Sequence, residues 1–210
     1  EEKVIDENKK REITISTATE GKCFVAWDPD TNMSSACIPF ALQVYETPLK
    51  MEPDGSLTPM LATDWKWSDD GLHLSMTFKD GVYFSNGDPM DLEDIRWSLD
   101  MTATSKIGKT LYTSYESTEI TGDHEVTINL TEPNPSLLIT MSSRLACIYD
   151  KKYYDQVDLQ GYIDKPIGSG PYLLAERVLA DHQTYVRNDD WWNKDEEGLP
   201  FYEKITVKYL

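Results

Sequence analysis

The sequence predicts a mixed α/β fold, and three observations predict it. Short segments with an apolar residue at every second position recur along the chain: EITIST at Glu12 to Thr17, LHLSMTF at Leu72 to Phe78, EVTINL at Glu125 to Leu130 and EKITVKYL at Glu203 to Leu210. That period gives a strand one buried face and one wet face. Two other stretches carry apolar residues at helical intervals: Ile38, Ala41, Leu42 and Tyr45, then Leu92, Ile95 and Leu99. Glycine and proline turns separate them.

Taken in order, Ile13 and Ile15 mark the first strand. Gly21 to Ser35 is a long, varied loop, either a surface excursion or part of a binding wall. Its DPDTN imitates the opening of a calcium loop, but Met33 stands where glycine is required and Pro39 where the bidentate glutamate belongs. Ser35 to Tyr45 reads as a helix, with Pro39 tolerated in its first turn. From Leu49 the texture changes to short strands and turns: EPDG, Leu57 to Met60, DWKW, then Ser68 to Gly71 before the strand ending at Phe78. Trp65 and Trp67 share a face, as a cross-strand core pair or as a stacking platform for sugars.

KDGVYFSNGDPMDL, Lys79 to Leu92, reads as a short strand Val82 to Phe84 between turns at Gly81 and Gly87. Asp88 and Pro89 then stop the strand, and Asp91 caps a helix through Met101, with Glu93 and Asp94 at the positive end of its dipole. Ser105 to Tyr115 is polar and aperiodic, so no element is assigned there. After EVTINL, EPNP breaks the chain and Ser136 to Met141 starts a helix. KPIGSGPYLLAERV leads into a strand with Gln183 to Arg187 as its hairpin partner, and EKITVKYL closes the sequence.

Composition narrows the function classes. With 210 residues, 40% hydrophobic and 11% aromatic, the chain can bury a core as one large or two small domains. Its 37 acidic and 20 basic side chains leave a net charge of −17, spread along the whole length. Nucleic acid is an unsuitable partner, because phosphate binding needs a basic groove. No apolar run approaches the roughly 20 residues of a membrane-spanning helix. Glu1 to Arg11 is charged and almost free of apolar residues, which reads as a flexible leader. Cys23, Cys37 and Cys147 are too scattered for a zinc motif, and they accommodate either one disulfide with a free thiol or three buried thiols.

No motif calls for catalysis, a cofactor or a metal. Gly168-Ser169-Gly170 lacks the spacing of a nucleophile elbow, and Pro171 removes a backbone donor that a phosphate nest would use. His73, His124 and His182 stand without a second ligand at metal spacing and read as surface or strand-face residues.

In order, VYETPLK, EPDG, LATDW, SDDG, FKDGVYFSNG and EDIRWSL between Val44 and Leu99, then PIGSGPYLL at Pro166 to Leu174, resemble the family 5 extracellular solute-binding proteins. This is the peptide, dipeptide and nickel-binding group that serves ABC importers. YVRNDDWWNK and KITVKYL continue the pattern, so that the resemblance covers Glu12 to Leu210. Ser169 stands where the family usually has Thr, Trp191 where Tyr is commoner, and Met90-Asp91-Leu92 varies the helix start.

The resemblance implies the N-terminal lobe of a two-lobed, periplasmic-binding-protein-like fold carrying an inserted β-rich subdomain, within a protein more than twice this length. Residues 1–11 would be the leader, 12–45 the first part of lobe one, 46–162 the insertion and 163–210 the return to lobe one. The implied activity is capture of a solute, an oligopeptide first and a nickel or metal chelate as the alternative, by a monomer that closes on it and docks on a membrane permease. The implied location is extracellular, as a lipid-anchored or periplasmic protein. Solute contacts would come from Glu20, Gly21, Lys22, Cys23 and Phe24 after the first strand, from Tyr45, and from Arg144. Loop packing, core burial and a surface ion pair are the respective structural alternatives. A carbohydrate-acting secreted enzyme is the competing class, requiring two carboxylates set roughly 5–5.5 or 6.5–9.5 Å apart.

Overall fold

A computed structural model describes residues 11–17 and 38–210. The leader up to residue 10, the loop from Gly21 to Ser35, and Cys23 and Cys37 lie outside the described residues.

Among the described residues ten strands form three sheets. The first is ordered β1 (Glu12–Thr17), β10 (Lys204–Tyr209), β9 (His182–Arg187), β8 (Tyr172–Val178). In it β1 runs parallel to β10, with Ile13 opposite Ile205 and Ile15 opposite Val207, while the other pairs are antiparallel. The first and last of the described strands are thus adjacent. A two-stranded ribbon joins β2 (Leu49–Met51) to β3 (Leu57–Pro59). The third sheet is antiparallel throughout, ordered β4 (Ala62–Trp67), β5 (His73–Phe78), β7 (Glu125–Leu130), β6 (Tyr115–Ile120).

Alternation sets the faces of this third sheet. Leu74, Met76 and Phe78 of β5 and Val126, Ile128 and Leu130 of β7 are buried. On the opposite face His73 bonds Asn129 at 2.8 Å and Ser75 bonds Thr127 at 2.8 Å. Trp65 lies opposite Met76 and Trp67 opposite Leu74, so both indoles share the apolar face and pack against the core. The core-pair reading of the two tryptophans is the one this register supports.

Helix α2 (Leu92–Thr104) covers that sheet, with Ile95, Leu99 and Ala103 buried. Its start is a capping box: Asp91 Oδ1 accepts from the Glu93 and Asp94 amides at 2.8 and 3.0 Å, and Asp94 Oδ2 accepts from the Asp91 amide at 3.0 Å. Val82 to Phe84 differs from expectation. Only an isolated bridge, Tyr83 to Pro89, forms there. The turn is too tight for a strand: Gly81 and Gly87 take φ of +73° and +89°, and the Phe84 amide bonds Asp88 O at 2.9 Å. Val82 and Phe84 nonetheless point into the core.

The other α-helices among the described residues are α1 (Ile38–Val44), α3 (Leu137–Thr140), α4 (Lys151–Asp164) and α5 (Lys194–Glu197). Neither α4 nor β6 is expected from the sequence. YESTEI of β6 is polar at the sheet edge, and within α4 only Tyr162 is fully buried. Asp158 breaks α4 with φ of +61° and restarts it by accepting from the Gln160 and Gly161 amides. Among the described residues no helix is long and apolar enough to cross a membrane.

Candidate functional site

The chain leaves α1 through Val44 to Leu49, a crossing segment that other segments grip by its backbone. The Gly170 amide donates to Val44 O at 2.9 Å, Ile148 to Glu46 O at 3.0 Å, and Leu49 to Met141 O at 3.1 Å. Glycine is required at 168 and 170, since a Cβ there would lie 2.0 Å from Val44 O and 2.6 Å from Gln43 O. The GSG motif is therefore a packing device against the crossing segment.

Glu46 is buried in this crossing, 3% exposed. Its Oε1 accepts from the Trp191 indole at 3.0 Å and its Oε2 from the Trp192 indole at 2.7 Å. Burial pushes its pKa up to about 7, opposed by Trp192, Ser169 and Trp191 and reinforced by Glu197. The Ser169 hydroxyl is fully buried; it is near enough to lower that pKa but lies outside hydrogen-bond geometry, with no partner among the described residues. Beside this group lies a cavity of about 320 Å³, whose lining includes Tyr45, Glu46, Lys50, Met60, Trp191 and Glu197.

Tyr45 and Arg144 approach the same neighbours. The Tyr45 ring meets Tyr149 edge-on at 5.0 Å, and burial drives its pKa well above the ordinary value. Its hydroxyl has no hydrogen-bond partner among the described residues. Arg144 is 7% exposed and so is a buried residue, not a surface one. Burial lowers its pKa, while Tyr149 and Cys147 act the other way. The Cys147 thiol is free and buried, pushed up to about 12 by desolvation. Tyr45 lines the cavity, whereas Arg144, in the turn Arg144–Ala146, is not among its lining residues. Glu20, Gly21, Lys22, Cys23 and Phe24 lie outside the described residues.

Residues 56–210 match the family model described as bacterial extracellular solute-binding proteins, family 5 Middle. The chain belongs to that family. This family 5 chain is 30% identical over 173 residues to the nickel-binding periplasmic protein of Escherichia coli K12, covering 80% of the chain and 32% of that relative. It is 29% identical over 162 residues to a probable di/tripeptide-binding protein 5 of Pseudomonas aeruginosa, covering 66% and 31%. Among solved structures, NikA from Brucella suis in complex with Fe(III)-EDTA superposes with a TM-score of 0.76 at 28% identity, over 95% of the chain and 39% of NikA. The chain thus spans about a third of the length of the curated relatives it matches.

Sequence reasoning did not single out Glu46, Ser169, Trp191 or Trp192 of this family 5 protein as one group. Glu46 and Trp191 are 145 positions apart, and no local period connects them. The available signals were an acid inside VYETPL and the uncommon pair of adjacent tryptophans.

Proposed function

We propose that this chain is part of a solute-binding subunit of an ABC importer that captures a short peptide outside the cytoplasm and delivers it to a membrane permease. The observation that carries the reading is the family match over residues 56–210, together with a di/tripeptide-binding relative at 29% identity. In this reading the protein is a monomer with no catalytic role, held outside the cell as a periplasmic or lipid-anchored protein. Residues 12–45 and 163–210 form part of one lobe and 46–162 an inserted subdomain. Tyr45, Arg144 and the segment Glu20 to Phe24 contribute solute contacts. Capture proceeds by closure of two lobes, a shift in population toward the closed state.

A second reading, a nickel or other metal chelate, draws support from the 30% identical nickel-binding relative. Against direct ligation by this part of the chain, each histidine already faces a neighbour: His73 faces Asn129, His124 faces Asp80 at 3.1 Å, and His182 faces Asp181 and Glu176.

Thermal-shift measurements on the whole protein with short peptides, nickel chelates and oligosaccharides test the proposal, because a ligand specific to the native state raises apparent stability by mass action. Stabilisation by peptides alone supports the peptide reading, and stabilisation by chelates alone replaces it with the second. A response confined to oligosaccharides, or none, overturns both.

A further inference from the structure

Several segments meet at one buried carboxyl group: the crossing segment bearing Glu46, the Gly168 to Pro171 loop, the turn ending at Cys147, and the strap 188–197 bearing both tryptophans. Among the described residues no basic side chain pairs with Glu46. Lys50 lines the same cavity but pairs with Glu52 at 3.4 Å. Lys79 lies over the Trp192 ring, 5.1 Å from its centre, and pairs with Glu196 at 3.7 Å. The other titratable groups acting on this carboxyl are Glu197 from α5 and the Cys147 thiol. A carboxylate buried without a cation is costly, and its neutral form is the one burial favours.

The surroundings accept either form. A carboxylate takes both indole N–H groups as acceptor. A neutral carboxylic acid keeps its carbonyl oxygen for one indole and has an O–H to place. The Ser169 hydroxyl, near Glu46 but outside hydrogen-bond geometry as it stands, has no other partner among the described residues. The two indole bonds favour the ionised form, whereas burial without a cation favours the neutral one and is the larger influence. On protonation one indole stays bonded to the carbonyl oxygen, and the contact between strap and crossing segment no longer buries a charge.

We propose that the Glu46 carboxyl is a proton-operated latch: protonated, it fastens the strap 188–197 to the crossing segment, and ionised, it loosens it. The inference is independent of which solute the protein carries. In the closed arrangement the group titrates at about 7 against an ordinary 4.5, so the closed form binds the proton more tightly than an opened one. By linkage the latch is strongest at low pH and is progressively weakened as pH rises from 4.5 through 7, levelling off about one unit above. Between pH 6 and pH 8 the open population grows roughly tenfold.

The test is hydrogen exchange of the Trp191 and Trp192 indole N–H groups, followed by NMR on the protein and corrected for the intrinsic pH dependence of exchange. Protection is expected to fall roughly tenfold from pH 6 to pH 8, and Glu46→Gln, which cannot ionise, is expected to flatten the profile. Equal protection at both pH values, or the same fall in Glu46→Gln, overturns the latch. Should the variant fail to fold, the Glu46 carboxyl carbon resonance of the unaltered protein decides: a midpoint near 7 supports the latch, and a midpoint at the ordinary carboxylate value overturns it.

Discussion

The sheet β4 to β7 with α2 and the crossing around Glu46 are both buried, but they are held together by opposite means. In the first, Leu74 and Ile128 are wholly buried, and on the other face polar side chains pair across neighbouring strands in register, His73 with Asn129 and Ser75 with Thr127. Hydrophobic burial dominates there, and each apolar side chain contributes on the order of 2 kcal/mol. In the second, the buried groups are Glu46, Tyr45, Ser169 and Arg144, and two of their hydroxyls are unpartnered among the described residues. An unpaired buried polar group costs roughly 1–3 kcal/mol. The contrast teaches where to look for function: the sheet is organised for stability, whereas the crossing retains polarity that stability alone does not explain.

Breaking the sheet should give the largest effect. Leu74→Ala leaves a cavity in a site with no exposed surface, and urea unfolding should show a loss of roughly 2–5 kcal/mol. Next in size is the pH dependence of the crossing. Glu46 has a raised pKa in the fold, so the wild type is destabilised as pH climbs from 4.5 to about 7. Relative to Glu46→Gln it should lose on the order of 3 kcal/mol between pH 4 and pH 8, a difference that chemical denaturation at the two pH values reads directly. Asp91→Ala removes the acceptor of two α2 amides and should cost about 1 kcal/mol in the same assay. Smallest is Glu93→Gln, which weakens the Arg96 pair on the helix surface; a change of about 0.5 kcal/mol or less is expected.

The two regions also differ in how far they can be read from sequence. Period-two alternation in LHLSMTF and EVTINL and the Asp91 cap announce β5, β7 and α2, because those signals are local. Strand β6 escapes since an edge strand can be polar, and α4 escapes because it buries Tyr162 instead of presenting an apolar stripe. The Val82 to Phe84 segment has the composition of a strand, but two positive-φ glycines fold it into a turn. In the crossing, Tyr45 falls within the VYETPLK motif and Arg144 in none of the motifs, and the burial of both near Tyr149 and Cys147 has no local signal. Glu46 finds its tryptophans only after β8, β9 and the strap have formed, so chemistry set by long-range contact has no local signature.

Solute capture through this crossing is tested most directly by calorimetric titration of short peptides into the whole wild-type protein and into Tyr45→Phe. The substitution removes a hydroxyl that lacks a partner among the described residues, so the fold should be as stable as before or more so by about 1 kcal/mol. The account predicts saturable peptide binding by the wild type and weaker binding by Tyr45→Phe at undiminished stability. Saturable binding of equal strength in both proteins would remove Tyr45 from the site, and no binding of any peptide by the wild type would contradict peptide capture itself.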